Sequence, residues 1–321
     1  MKKFDFSLII PFYNEKKTAV FTLNLIINQS ITPSEVLFIN SKSSDNTCDI
    51  IQNFIFNNKL DNWKVINTDF QTPSESKNLG IKISKYKWCA FMDFDLKFSN
   101  TWLEDQINFI NENKNLMISY GVVNLNPSNY FDKLVIAQTY GLKSNNPVIP
   151  SSFIKKKYFE KYGYFLPLRS LYDKIFIKQS LTKNHKYLAI NNNVNVEYVD
   201  INYATNFKDL FIKIINYSLQ TTFYNQNKIP YIYLLIFLSA VIFILFNFYF
   251  IFIIILFSIL LRGFIIPIKK NKNFFQKFSI FEIPYLFIVG ISIDFFKTIG
   301  FLMSFVLKIF NKKVRLDKYY K

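Results

Sequence analysis

From Ile229 to Leu261 the chain runs for 33 residues without a charged side chain. Crossing the hydrocarbon core of a bilayer takes roughly 20 apolar residues in a helix. The run is therefore long enough to enter a membrane and, with Asn247-Phe248-Tyr249 near its middle, long enough to turn back as a hairpin. The flanking charges choose between these arrangements. A single crossing would carry Arg262, Lys269, Lys270, Lys272 and Lys277 to the far side, whereas a hairpin keeps them on the side of the preceding domain, as the positive-inside rule favours. A second apolar run begins at Phe278 and holds Asp294 and Lys297 near its middle. It reads as an interfacial helix over about 278–309 followed by a basic tail. Two short spans with an interfacial helix is the expected arrangement, and three full spans is the alternative.

The charge is distributed to match. Residues 205–321 hold 15 Lys and Arg against 4 Asp and Glu, a net of +11, while residues 1–204 hold 24 against 18, a net of +6. The boundary expected from this is a domain over 1–204 followed by a linker helix and membrane region over 205–321. Basic residues beside membrane segments suit an anionic cytoplasmic leaflet. A nucleic-acid partner is not expected, because the +17 total is concentrated there rather than on a soluble face. Two cysteines, Cys48 and Cys89, and one histidine, His185, exclude a disulfide scaffold and His- or Cys-rich metal sites. The short apolar stretch after Met1-Lys2-Lys3 contains Asp5 and meets Pro11, which suits a strand and not a signal peptide. The first domain is thus expected in the cytosol, at the inner membrane.

That domain alternates two periodicities. Short apolar runs at Ser7–Ile10, Val36–Ile39, Trp63–Ile66 and Trp88–Met92 read as buried strands, and helical spacing follows each: Val20, Leu23, Ile26 and Ile27; Ile50, Ile51 and Phe54 after a cap at Ser44 or Asp45; Leu79 and Ile83 after Pro73; and about 100–113. Such alternation implies βαβ units and a mainly parallel sheet with flanking helices. Ligands of these sheets bind beyond the carboxyl ends of the strands. The residues there are Phe12-Tyr13-Asn14-Glu15, Asn40-Ser41-Lys42-Ser43, Asn67-Thr68-Asp69 and Asp93-Phe94-Asp95. Two carboxylates directly after a hydrophobic strand call for a cation, and oxygen-only ligands suit Mg²⁺ or Mn²⁺.

Four segments carry a resemblance. Ser7 to Glu15 is similar to the opening strand of family 2 glycosyltransferases, with its (V/I)-P-x-Y-N-E signature. Ile39 to Thr47 resembles their V-D-S-G-S-x-D-G-T, Ser76-Lys77-Asn78-Leu79-Gly80 their A-R-N-x-G, and Phe91 to Asp95 their D-x-D. The resemblance covers about residues 5–200, and the apolar C-terminal third looks like that of membrane-anchored bacterial members. It implies a GT-A fold and a nucleotide-diphosphate sugar donor. Glu15 would then lie by the base or ribose with backbone groups from Pro11 to Tyr13, and Asp93 near the ribose or sugar. Asp95 would hold the Mg²⁺ or Mn²⁺ that bridges the diphosphate. Asn40, Lys77 and Asn78 would complete the donor site, and Asp173 would match the general base.

Three departures qualify this picture. Asn40 stands where the family usually has an Asp that reads the base. Lys77 replaces an Arg, keeping the charge but losing a bidentate fork. Tyr172 replaces the Glu of the family's E-D pair. Asp173 could alternatively just cap the following helix. The Q-x-x-R-W element of processive synthases is missing, which implies transfer of one sugar. The expected acceptor is a lipid-linked or surface glycan, with polyprenyl phosphate as the variant. A sugar nucleotidyltransferase is disfavoured because Pro11 to Lys17 holds no Gly, and a degenerate scaffold is the remaining alternative.

Overall fold

In the computed structural model of the chain, the described residues are 4–69, 72–94, 96–142, 146–169, 171–183, 185–198, 204–224, 256–271 and 273–309. Most of the uncharged run, its Asn247-Phe248-Tyr249 turn, the basic tail and Asp95 lie outside them. The chain forms two compact units. One comprises Met1–Asn124 with Asn145–Asp200, and the other Leu125–Ser144 with Ile201–Lys321.

Among the described residues, all eight strands lie in the first unit. Its first half runs β1 (Phe6–Phe12), α1 (Ala19–Ile27), β2 (Glu35–Asn40), α2 (Thr47–Asn57), β3 (Trp63–Asn67), α3 (Pro73–Ile83) and β4 (Trp88–Phe91). Then come β5 (Leu96–Lys97), α4 (Trp102–Glu112) and β6 (Ile118–Asn124). The predicted strand–helix alternation is present with these boundaries. Asn46 occupies the cap position of α2, and Asp45 Oδ1 accepts the Thr47 N–H at 3.0 Å.

The sheet order is β3-β2-β1-β4-β7-β6-β8-β5, where β7 is Asn146–Lys155 and β8 is Leu188–Tyr198. The first four strands are parallel, as the βαβ pattern requires. Beyond them the sheet is mixed: β7 runs antiparallel to both β4 and β6, and β5 antiparallel to β8. The expectation of a mainly parallel sheet thus holds for the half built from consecutive βαβ units. The other half pairs strands through longer connections. Strands β1 and β2 are buried along their whole length, which fits their unbroken apolar sequence between two helical layers.

Gly80 shows how closely α3 lies on this sheet. A Cβ there would sit 2.5 Å from Ile9 Cγ2 on β1, so the last position of Ser76-Lys77-Asn78-Leu79-Gly80 is small for packing reasons. In the second half, α6 (Lys156–Tyr162) follows β7, and α7 (Tyr172–Lys183) precedes β8.

The second unit holds α5 (Tyr130–Thr139), α8 (Phe207–Tyr224), a π-helical stretch Leu260–Ile265, α9 (Ile266–Lys270), α10 (Phe274–Lys277) and α11 (Ile283–Ile309). The sequence pattern placed no boundary at residues 125–144, yet they belong to this unit. Gln138 of α5 explains the association. Its Nε2 donates to the carbonyls of Arg262 and Leu286 at 2.6 and 2.8 Å. Arg262 is buried and pairs with Asp294 of α11. Wide π-type turns leave backbone groups in need of outside partners, and the Gln138 amide supplies one.

Replacing Gly80 with Ala forces Ile9 to move or the helix to lift. Overpacking of this kind costs about 1–3 kcal/mol. Thermal denaturation of the purified chain should show a lower melting temperature for Gly80→Ala, and an unchanged one would remove the close-packing account.

Candidate active site

Parallel pairing sets the carboxyl ends of β1, β2 and β4 along one edge of the sheet. Asn14 organises the first two loops there. Its backbone is left-handed, with φ of 56°, a conformation Asn tolerates better than most residues. Its N–H donates to Ser43 Oγ at 3.0 Å, and its Oδ1 accepts the Ser44 N–H at 2.8 Å. The Glu15 N–H donates to Thr47 Oγ1 at 2.8 Å. The β1 and β2 loops are therefore laced into one surface.

Within that surface, Pro11 is buried in β1 and Tyr13 is half exposed. Glu15 accepts the Thr18 hydroxyl at 3.0 Å. Burial, reinforced by the negative charges of Asp93 and Asp45, holds its carboxyl above the ordinary value. Asn40 uses both ends of its amide inside the protein: Oδ1 accepts the Ser43 N–H and Nδ2 donates to Asn67 Oδ1, both at 2.9 Å. It joins the β2 and β3 ends rather than standing free.

Helix α3 supplies the centre of the site. Thr72 caps it by accepting the Glu75 N–H, and Pro73 opens it. Residues 74, 77, 78 and 81 share one face at helical spacing. Ser74 exchanges hydrogen bonds with Leu168, accepting its N–H at 3.0 Å and donating to its carbonyl at 2.8 Å. Asn78 does the same with Phe165, donating at 2.8 Å and accepting at 3.1 Å. Between them Lys77, with 0% of its surface exposed, donates to the Tyr172 hydroxyl at 2.8 Å and forms an ion pair with Asp93 Oδ1 at 2.8 Å.

One helical face thus pins the segment from Phe165 to Tyr172 at three points. Asp173 follows directly, partly exposed in the first turn of α7, with its Oδ1 accepting the Lys174 N–H. Leu171, just before, is held at a left-handed φ of 66°, a strain that non-glycine residues show most at functional turns.

The electrostatics of Lys77 are decided by competition. Burial alone would lower its pKa, but Asp93 and Tyr172 outweigh this and hold it above the ordinary lysine value. Burial raises the Tyr172 phenol, which stays protonated. Asp93 Oδ1 is buried and has no hydrogen-bond partner beyond the ion pair, so the 27% exposure of its side chain leaves Oδ2 facing outward. That oxygen is a hard donor of the kind Mg²⁺ and Mn²⁺ prefer. Among the described residues no cluster of three or more His, Cys, Asp or Glu is present, and Asp95 is not one of them.

The structure therefore joins Lys77 and Asp93 directly and reaches Asp173 through Tyr172. Glu15 lies within electrostatic reach of Asp93, Pro11, Tyr13 and Asn40 occupy neighbouring strand ends, and Asn78 faces the Phe165 backbone. Sequence reading missed the part played by Tyr172, Ser74 and Asn14. The available signal was the pair of departures at Lys77 and Tyr172, which prove to touch each other. Lys156 binds the carbonyls of Lys82 and Ser84 at the end of α3, and Ser151 and Ser152 are fully buried.

These strand ends and the mixed sheet define a GT-A domain. Residues 7–179 match Glycosyl transferase family 2, and the chain belongs to that family. It is 30% identical over 128 residues to the UDP-Glc:alpha-D-GlcNAc-diphosphoundecaprenol beta-1,3-glucosyltransferase WfaP of Escherichia coli, covering 39% of this chain and 45% of that protein. It is 32% identical over 111 residues to the poly(ribitol-phosphate) beta-N-acetylglucosaminyltransferase TarS of Staphylococcus aureus, covering 33% of this chain and 19% of that one. The chain thus spans less than half the length of both relatives. The mannosyltransferase PcManGT of Pyrobaculum calidifontis, solved with GDP-Man and Mn²⁺, superposes with a TM-score of 0.50 at 15% identity over 67% of this chain and 62% of that one. This last likeness bears on the fold alone.

Lys77→Met leaves Asp93 without its cation. Breaking a fully buried pair costs about 3–5 kcal/mol, and the partial exposure of Asp93 lowers this to about 2–3 kcal/mol. Chemical denaturation should show that loss, with most of it recovered in Lys77→Met/Asp93→Asn. A double variant no more stable than Lys77→Met would contradict the pairing.

Proposed function

We propose that the chain is an inverting glycosyltransferase. It moves one sugar from a nucleotide-diphosphate sugar to a lipid-linked or cell-surface glycan acceptor at the cytoplasmic face of the inner membrane. The observation that carries this reading is the Lys77 junction, which ties Asp93 to the segment presenting Asp173. An acceptor hydroxyl must lose its proton as it attacks the anomeric carbon, and a partly exposed carboxylate at the start of a helix can take it. That role falls to Asp173.

The laced loops carrying Pro11, Tyr13, Glu15 and Asn40 would bind the nucleotide, with Lys77 and Asn78 holding the floor of the donor site. Asp95 and the outward Oδ2 of Asp93 are the oxygen donors that fit Mg²⁺ or Mn²⁺. A bound cation would supply positive charge to the departing diphosphate. With Asp173 opposite the leaving group, displacement is in line and the anomeric configuration inverts. The membrane reading draws on the uncharged run, the basic residues flanking it, and α11, which is long and apolar enough to cross a bilayer. The action of WfaP on a diphosphoundecaprenol-linked sugar agrees with a lipid-linked acceptor for this chain.

A polyprenyl-phosphate acceptor is the second reading, because such an acceptor arrives already ionised. Asp173→Asn separates the two. For a hydroxyl acceptor, transfer should fall by about 10²–10⁴-fold with donor affinity little changed. Retention of most activity would instead indicate a phosphate acceptor. Chelation by EDTA and Asp95→Ala should each abolish transfer measured by nucleotide release, and full activity in both would remove the metal from the proposal.

A further inference from the structure

Helix α11 has two faces of different chemistry. At 3.6 residues per turn, Tyr285, Ile288, Ile291, Phe295, Leu302 and Val306 fall within roughly 120° of arc, and Phe281 precedes them in the 3-10 turn Ile280–Glu282. All are exposed, Phe281 at 82% and Phe295 at 61%. The stripe continues for the full length of the helix without a charge. Ser292, within it, and Thr298, at its edge, return their hydroxyls to the carbonyls of Ile288 and Asp294. On the other side lie the buried positions Leu286, Val289, Ile293, Phe301 and Ser304, together with the charged residues Asp294 and Lys297.

The elements packed on that second face carry further charge along the helix. Just before its start, Lys133 of α5 pairs with Glu282 at 3.0 Å. About 18 Å further on, at 1.5 Å per residue, Asp294 pairs with Arg262 beside Gln138. Phe211 of α8 meets Phe296, in the turns of α8 that hold Lys208, Asp209 and Lys213. Placing α11 across a bilayer would carry these groups through the hydrocarbon with it. Laying it in the plane of the membrane puts all of them on the water side and all of the stripe on the lipid side.

The occupant of the stripe follows from continuity and charge. The sequence from residue 225 to residue 255 is mostly apolar and carries no charge after Lys228. Soon after it in sequence, Leu260, Ile265 and Ile268 are exposed apolar side chains as well. The region 205–321 carries a net +11, which suits anionic headgroups.

We propose that α11 is a monotopic, in-plane helix whose Phe281-to-Val306 stripe is seated in one anionic leaflet. This deepens the membrane reading above and rests on it. The test uses the full chain with Cys48→Ser, since Cys89 is buried and will not label. Single spin labels are placed at Phe281→Cys, Phe295→Cys, Lys297→Cys and Val306→Cys. The protein is reconstituted in phosphatidylcholine/phosphatidylglycerol vesicles, and label depth is read from collision with oxygen and with a water-soluble nickel chelate.

The in-plane helix predicts that labels 281, 295 and 306 share one depth, about 5–10 Å below the headgroups, while label 297 stays open to the nickel chelate. If labels 295 and 297 both lie about 15 Å deep, near the bilayer centre, with 281 and 306 shallow, the helix spans and the inference fails while the membrane reading stands. If no label gains oxygen access over detergent-free aqueous controls, the membrane reading itself fails. Circular dichroism of each variant identifies any that do not fold, and Phe295→Trp with brominated lipids replaces the label at that site.

Discussion

A single buried cation organises the catalytic unit. Lys77 has no exposed surface and would be a liability there without partners, because desolvating an ammonium is expensive. It is stabilised because Asp93 comes from the end of β4 and Tyr172 from the start of α7, so that two elements distant in sequence must meet for the charge to be satisfied. Ser74, about one turn before Lys77, and Asn78, the next residue, bond the same incoming segment. The result is one junction that joins α3 to the end of β4 and to the start of α7, where Asp173 follows Tyr172.

Much of this frame is written locally and some of it is not. The four parallel strands and their helices are legible because apolar runs and helical spacing repeat over short distances, and each agrees with the next. The small residue at Gly80 is legible as a motif position, and its reason, the approach of Ile9, needs the packed structure. The Lys77–Tyr172 contact joins residues 95 apart and leaves no periodic trace. Read singly, each is a departure from the family pattern. Read together, they are the two ends of one hydrogen bond, a phenol that stays protonated accepting from an ammonium.

The connection between β6 and β7 was illegible for a different reason. A stretch such as Tyr130–Thr139, with apolar residues at helical spacing, looks the same whether it covers the sheet or belongs elsewhere. Gln138 decides it, through carbonyls that only the π-type turn near Arg262 and the start of α11 present. Asn40 gives the converse lesson. Its place at a strand end suggests a ligand contact, yet both ends of its amide are bound to Ser43 and Asn67, so its contribution to the site is to fix the shape of the loop.

The central claim is that Lys77, Asp93 and Tyr172 act as one unit in transfer. A double-mutant cycle on the transfer rate, using Tyr172→Phe, Asp93→Asn and the pair, tests it most directly, with nucleotide release from the donor that stabilises the protein as the readout. Neighbours sharing one partner couple by about 0.5–3 kcal/mol. The account predicts that the double variant loses less than the product of the two single losses, with a coupling above about 1 kcal/mol. Independent, multiplicative losses would contradict it.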